Sequence, residues 1–395
     1  MRTATRVVTS RRTTIDDLLP KFLVYFDASR NITMATSTNI SQWVDRVSGL
    51  VASQATSSAQ PLINNTAGNL YVNMSSSSRF LTINIPTPLN INTSQAYFCF
   101  SNAVFSCTVN IINGTTSLEI GRTSSPYLLN SIIIFNGFAT PEEDLRIIEF
   151  LKTKLAYNSQ TLGGVFAASD NSLQVGRRVT SISSVFFAGI TNLSFCWQSC
   201  HLLTSFPFID TSNITIFDAT WQYCMGLTSF PLLNISNGTN FTGTWDGCVG
   251  LTNFPLLDTS NGINFSGTWG SCRGLTSFPL LNTSKGTNFS NAWRFCSNLT
   301  NFPANFFDSW VGNPVASCFF RTWDSCTNLT AQSVENILVS IAFSGKSAPA
   351  GATGTQADIT ITYATNTGSL STATTNAITT LKSRGWKPTI NGTYV

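Results

Sequence analysis

Ten cysteines and a single histidine set the limits of the side-chain chemistry this 395-residue chain can hold. His201 directly follows Cys200. A Cys–His nucleophile pair needs an exposed thiol with the ring within about 3 Å, whereas Cys200 belongs to a recurring apolar column, so His201 reads as a solvated turn residue. Cys196 with Cys200, and Cys318 with Cys326, lack the two-residue spacing and histidine partners of a zinc site. Cys99 and Cys107 fall on neighbouring predicted strands, where a bond across a hairpin stays open. Polysaccharide hydrolysis needs two carboxylates about 5–9.5 Å apart. Asp210 and Asp258 share one repeat column with Asn234 and Asn282, and Asp246 shares another with Asp324. Aspartate alternating with asparagine is the habit of a turn acceptor. No Ser-His-Asp set can be assembled and no Gly-rich phosphate loop follows a strand. The chain is expected to be no enzyme and to use no cofactor and no metal.

A period sets the elements that carry these residues. Trp197, Trp221, Trp245, Trp269 and Trp293 recur every 24 residues, each followed three places later by Cys200, Cys224, Cys248, Cys272 and Cys296. A sixth pair, Trp323 and Cys326, comes after an insertion of six residues around Asn305 to Pro314. Leu-Thr-x-Phe-Pro recurs from Leu203, Leu227, Leu251, Leu275 and Leu299, and Val179-Thr180-Ser181-Ile182 is an imperfect copy that reads as an entry cap. A unit this short cannot bury its own apolar side, so the period predicts a solenoid whose coils share one core. Phe241, Trp245, Cys248, Leu251 and Phe254 should stack on Phe265, Trp269, Cys272, Leu275 and Phe278. The proline after each phenylalanine is expected to end a strand, and Leu257 to Gly262 to turn the chain back. Rungs about 4.8 Å apart would admit disulfides, but a chain without a secretory signal predicts reduced thiols, which are good small buried hydrophobes. The Asn-x-Ser/Thr triplets at Asn213, Asn234, Asn240, Asn264, Asn288 and Asn328 read as turn and ladder residues rather than glycan acceptors.

Only 10% of the residues are charged against 42% hydrophobic, where ordinary domains carry about 25% charged. Ser, Thr and Asn supply the missing polarity, as suits stacked β-structure. A net charge of +4 gives no basic face for nucleic acid. No window approaches the ~20 apolar residues of a membrane span, and the first twenty residues lack a signal's apolar run. Arg2, Arg6, Arg11 and Arg12 make residues 1–17 a basic arm. Alternating strands are predicted at Phe22 to Ser29, Ser41 to Gly49 and Arg79 to Ile85, with Trp43 in the core, and a buried strand at Ser131 to Gly137. A helix follows, with Thr140 as N-cap, Pro141 at the first position and Glu143 completing a capping box. Its apolar face is predicted as Leu145, Ile148, Leu151 and Leu155, with Lys152 and Lys154 at the cation-favouring end. After the repeats, Thr330 to Ile341 reads as a capping helix facing the last coil through Val334, Ile337, Leu338 and Ile341. A Ser/Thr/Gly/Ala-rich stretch from Ser344 to Thr375 and a helix around Ala377 to Lys382 complete the cap.

Two resemblances add to this reading. Asp27-Ala28-Ser29, Gln42-Trp43-Val44-Asp45 and the strand–helix run Ile132 to Tyr157 resemble the concanavalin-like, LamG-type jelly-roll domain of phage and bacterial surface proteins. The Phe-x-x-x-Trp-x-x-Cys-x-x-Leu-Thr-x-Phe-Pro units resemble the BspA-like, treponemal-type leucine-rich repeat, with the Trp and the regular Phe-Pro as departures. The fold class implied is mainly β: an antiparallel, lectin-like jelly-roll sandwich (18–158), a linker and solenoid entry (159–178), a leucine-rich-repeat β-solenoid (179–329) and a small α+β C-terminal capping module (330–395). The resemblances imply a structural protein of a tailed-phage particle, a tail fibre, appendage or capsid decoration, that adheres to a host glycan or envelope protein. It would join other virion proteins through the arm and the sandwich, as a homo-oligomer, with no nucleic acid and no membrane insertion. A bacterial BspA-like adhesin is the second reading and a polysaccharide-degrading tailspike the third.

Overall fold

The computed structural model describes residues 139–152, 179–187 and 189–395, and the backbone of the strands between Phe22 and Phe135. These strands are β1 (Phe22–Asp27), β2 (Ile32–Met34), β3 (Ile40–Val44), β4 (Val51–Ser53), β5 (Leu62–Thr66), β6 (Asn69–Asn73), β7 (Phe80–Asn84), β8 (Ser94–Phe100), β9 (Ala103–Val109), β10 (Ser117–Gly121) and β11 (Leu128–Phe135). With β12 (Val179–Phe187) they form two antiparallel sheets. One runs β12-β9-β8-β11-β6-β5, with β1 also on β11; the other runs β10-β7-β4-β3-β2. The β8/β9 register sets Cys99 opposite Val104 and Cys107 opposite Ala96, so the two cysteines are not cross-strand partners. The side chain of Trp43 and the arm with Arg2, Arg6, Arg11 and Arg12 lie outside the described residues, as do Lys154, Leu155 and residues 159–178.

Helix α1 (Pro141–Lys152) starts on the expected capping box: Thr140 N–H donates to Glu143 Oε2 at 2.9 Å, and Glu143 N–H to Thr140 Oγ1 at 3.3 Å. Leu151 of the predicted face is buried, beside Ile147, and Ile148 is half-buried, but Leu145 is exposed, which corrects its place on that face. Leu145 lies two residues, about 200° of helix, from Ile147 and so points away from the buried side.

The repeats stack through backbone bonds between successive 24-residue units. Phe217, Ala219, Trp221 and Tyr223 donate their N–H groups to the carbonyls of Asn240, Thr242, Thr244 and Asp246, at 2.7–2.9 Å, and the next unit repeats the set. Between the units the ladder consists of isolated bridges, such as Asn240↔Asn264. The expected strand before each Phe-Pro is therefore absent, as at residues 227–230 and 251–254, and the consecutive turns lie around the tryptophans, as at 242–247. Two left-handed residues flank each tryptophan, Ala219 and Tyr223 in one unit and Asn291 and Phe295 in another, at φ 47–62°. Such residues interrupt an extended run, because L side chains in that region force a sharp change of direction.

Inside, like residues form columns. Trp221, Trp245, Trp269 and Trp293 stack at 5.2–6.2 Å between centroids and within 12° of parallel. Phe254 packs edge-on against Trp245 at 4.9 Å and Trp269 at 5.6 Å, so each phenylalanine locks two units together. Offset stacks and edge contacts of this kind add about 0.5–1.5 kcal/mol each beyond area burial. Buried Thr244 and Thr268 donate to the carbonyls of Phe217 and Phe241 at 2.8–2.9 Å. The six-residue insertion folds inward: Phe306, Phe307 and Trp310 are buried, and Trp310 Nε1 donates to Gly286 O at 2.6 Å.

Both ends of the stack pass into sheets. At the start, β12 pairs with β9 while Ser181 bridges Ser205 and Thr180 O accepts from Thr204 N–H, so one strand serves the N-terminal sheet and the first unit. At the end, the last unit supplies β13 (Phe319–Trp323), which pairs in parallel with β14 (Asp358–Ile361), itself parallel to β15 (Lys387–Ile390); β16 (Thr393–Tyr394) closes antiparallel. The donors that would otherwise face water are taken up there: Ser317 N–H by Gln356 O, Arg321 N–H by Thr360 Oγ1 and Ser325 N–H by Thr362 Oγ1. Helix α2 (Ala331–Phe343), capped by Thr330, buries Val334, Ile337, Leu338 and Ile341 as expected. Helix α3 (Thr372–Ser383), capped by Ser371, begins five residues before the expected Ala377, and the Ser/Thr/Gly/Ala-rich stretch before it contains β14. Threonine-rich sequence hides that helix, since its propensity is weak and packing of Ala377 and Leu381 decides it.

Candidate functional surface

The tryptophans and cysteines singled out by spacing form the core and no reactive site. Trp197, Trp221, Trp245, Trp269, Trp293 and Trp323 are fully buried, as are Cys200, Cys224, Cys248, Cys272, Cys296 and Cys326. The cysteines are unbridged. Each thiol from Cys224 onward donates to the carbonyl of the preceding unit's tryptophan, at 3.0–3.1 Å, as in Cys248 to Trp221. Burial pushes the Cys248 and Cys272 thiols well above the ordinary range and Cys296 up to about 12, the opposite of a nucleophile. Among the described residues no group of His, Cys, Asp or Glu is arranged to hold a metal ion.

The carboxylates divide by environment. Asp210 and Asp258 accept the N–H of Ser212 and Ser260 at 3.0 Å, and Asn234 and Asn282 make the same bond to Ser236 and Ser284. Hydroxyl and backbone donors hold both aspartates below the usual range. Asn240, Asn264 and Asn288 do likewise toward Thr242, Ser266 and Ser290, which explains why Asn-x-Ser/Thr recurs. Asp246 differs. It accepts from Gln222 Nε2 at 3.0 Å, bonds the side chains of Tyr223 and Ser271, and has its carboxyl pushed up by burial.

Asp246 sits in a shelf made where side chains are missing. The column immediately after the tryptophans reads Gln198, Gln222, Asp246, Gly270, Arg294 and Asp324. Gln198 Nε2 donates to Gln222 Oε1 at 2.6 Å, continuing the chain of bonds to Asp246. A Cβ at Gly270 would lie 2.9 Å from Asp246 Oδ1, so the carboxylate needs that glycine beneath it. The Tyr223 ring crosses Gly247 in the same way and is itself 39% exposed. On the far side Arg294 lies 4.2 Å over the Phe295 ring and bonds Asp324 at 3.2 Å. The shelf thus offers an aromatic ring, a carboxylate with fixed donors, and a guanidinium, on a rigid floor. A few polar groups of fixed geometry beside an aromatic face suit a polyhydroxylated ligand. Sequence reasoning placed Asp246 and Asp324 in one column but passed over Tyr223 and Phe295; the break from small residues at their position is the signal that marks them.

No helix among the described residues is long and apolar enough to cross a membrane. No family model, no curated protein and no solved structure matches the chain.

Proposed function

We propose that the chain is a non-enzymatic structural protein of a tailed-phage particle, displayed as a tail fibre, appendage or capsid decoration, that adheres to a glycan of the host surface. In this reading the two N-terminal sheets form a lectin-like jelly-roll sandwich and the stacked units a leucine-rich-repeat solenoid. The Tyr223–Asp246–Arg294 shelf carries the adhesion reading, because it places stacking and hydrogen-bonding groups on a scaffold that loses little entropy on binding. The particle assignment rests on the resemblance of the jelly-roll and repeat motifs, and the arm with Arg2 to Arg12 is the proposed virion anchor.

The test is a titration of the full-length chain against host surface polysaccharide, beside Tyr223→Ala, Asp246→Asn and the exposed control Lys285→Ala. The wild type and the control should bind alike, with Tyr223→Ala and Asp246→Asn at least tenfold weaker and no reducing ends released. Equal binding by Tyr223→Ala would remove the shelf, and release of reducing sugar would bring the tailspike reading forward.

A further inference from the structure

Nine residues beyond each tryptophan the chain has crossed the core, and two residues further on it presents an apolar ridge. Phe208, Leu232, Leu256 and Leu280 occupy one column, 24 residues apart, and are 74, 65, 65 and 51% exposed. Their neighbours Ile209, Leu233, Leu257 and Leu281 point inward and are buried. Half-buried prolines border the ridge on one side. The chain turns tightly at three of the ridge residues, where Leu233, Leu257 and Leu281 N–H donate to the carbonyls of Pro231, Pro255 and Pro279 at 2.9–3.0 Å, and two residues past the ridge runs the exposed column Asp210, Asn234, Asp258, Asn282. An apolar strip of this size on a polar molecule marks a contact surface.

We propose that this ridge is the interface with a second copy of the chain, packed antiparallel about a two-fold axis lying between the second and third rungs. Three observations point to a second copy. Antiparallel pairing sets Phe208 against Leu280 of the partner subunit and Leu232 against Leu256 of the partner subunit, so the most protruding rung meets the least and the middle two meet as equals. A parallel pair would set tall against tall and short against short, leaving a wedge. The same two-fold sets Asp210 opposite Asn282 of the partner subunit and Asn234 opposite Asp258 of the partner subunit, so no aspartate faces another and each meets an amide that can donate to it. The turn accepts Asp and Asn alike, with bonds of 3.0–3.3 Å in all four units, so the turn itself does not require the alternation. The four residues leave about 500 Å² exposed per copy, which caps the ridge's own share of an isologous interface at about 1,000 Å², and the bordering prolines and the Asp/Asn column supply the rest of the contact.

The inference stands apart from the glycan reading, and its test uses mass and cross-linking. Sedimentation of the full chain should give a dimer, and Leu256→Asp a monomer that melts as the wild type does when diluted to monomer, since Leu256 is 65% exposed and its change removes only what pairing adds. Phe208→Cys chains mixed with Leu280→Cys chains should form a disulfide-linked pair under a copper oxidant, while neither variant alone links, because like residues then lie three rungs, about 14 Å, apart, and wild type gives the background. A wild-type monomer at 100 μM, or a Leu256→Asp dimer, overturns the interface. Linking of Phe208→Cys with itself overturns the antiparallel register.

Discussion

At the scale of the residue, the repeating cysteine acts as a donor and a filler. Its thiol reaches the previous tryptophan's carbonyl, and the threonine before each tryptophan, as in Thr244 to Phe217, reaches another carbonyl of that previous unit, so a step carries two buried side-chain bonds beside the backbone set except where Ala292 replaces the threonine. Burial raises the thiols of Cys224, Cys248, Cys272, Cys296 and Cys326. An unfolded thiol ionises near pH 8.5, so above that pH the unfolded chain binds fewer protons than the folded one. Stability is full below about pH 8.5 and falls as pH rises toward 12, by roughly 1.4 kcal/mol per pH unit for each such thiol. Urea unfolding between pH 7 and 10 should show this loss, and iodoacetamide at pH 8 should modify Cys248 only as the chain unfolds. Stoichiometric labelling of Cys248 in the folded protein would contradict the buried ladder. The column was legible in the sequence because Trp and Cys recur at one spacing. Its hydrogen bonds were not, because they depend on how far one unit is offset from the next.

At the scale of the element, the unit works because glycine appears where coils come closest. A Cβ on Gly274 would lie 2.5 Å from Leu251 O and 2.6 Å from Val249 O, both backbone atoms of the previous unit. A Cβ on Gly267 would meet only ordinary contacts, Gly243 Cα and N at 3.9 Å, but the residue has a φ of +62°. The two glycines therefore answer to different constraints. Gly267→Ala should cost about 1–2 kcal/mol through its left-handed backbone, and Gly274→Ala about 3 kcal/mol because two coils must part. Chemical unfolding of the two variants measures both, and a larger loss for Gly267→Ala would contradict the close coil contact. Sequence reading located the period, the capping box at Thr140 and the helix after Thr330. It could not tell which leucine of each Pro-Leu-Leu faces out, because two adjacent apolar residues look alike until the turn before them is known. Nor does the period show that the six-residue insertion enters the core, where Trp310 packs beside Phe319 at 5.3 Å.

At the scale of the whole molecule, the stack is held at both ends by sheets that share a strand with it. β12 belongs to the N-terminal sheet and the first unit, and β13 to the last unit and the C-terminal sheet. Repeat arrays need such ends, since a terminal coil otherwise exposes apolar side chains and unpaired donors. The C-terminal module was legible as a cap from its position, but its parallel pairing with Phe319–Trp323 was not, because the partners lie about 40 residues apart across a helix. A rigid stack closed at both ends is suited to display. Immunogold microscopy of purified virus particles, with antibody against residues 190–330, tests that role most directly. Gold on the tail or the head of intact particles is the expected result; unlabelled particles, with the epitope shown to be accessible, would contradict it.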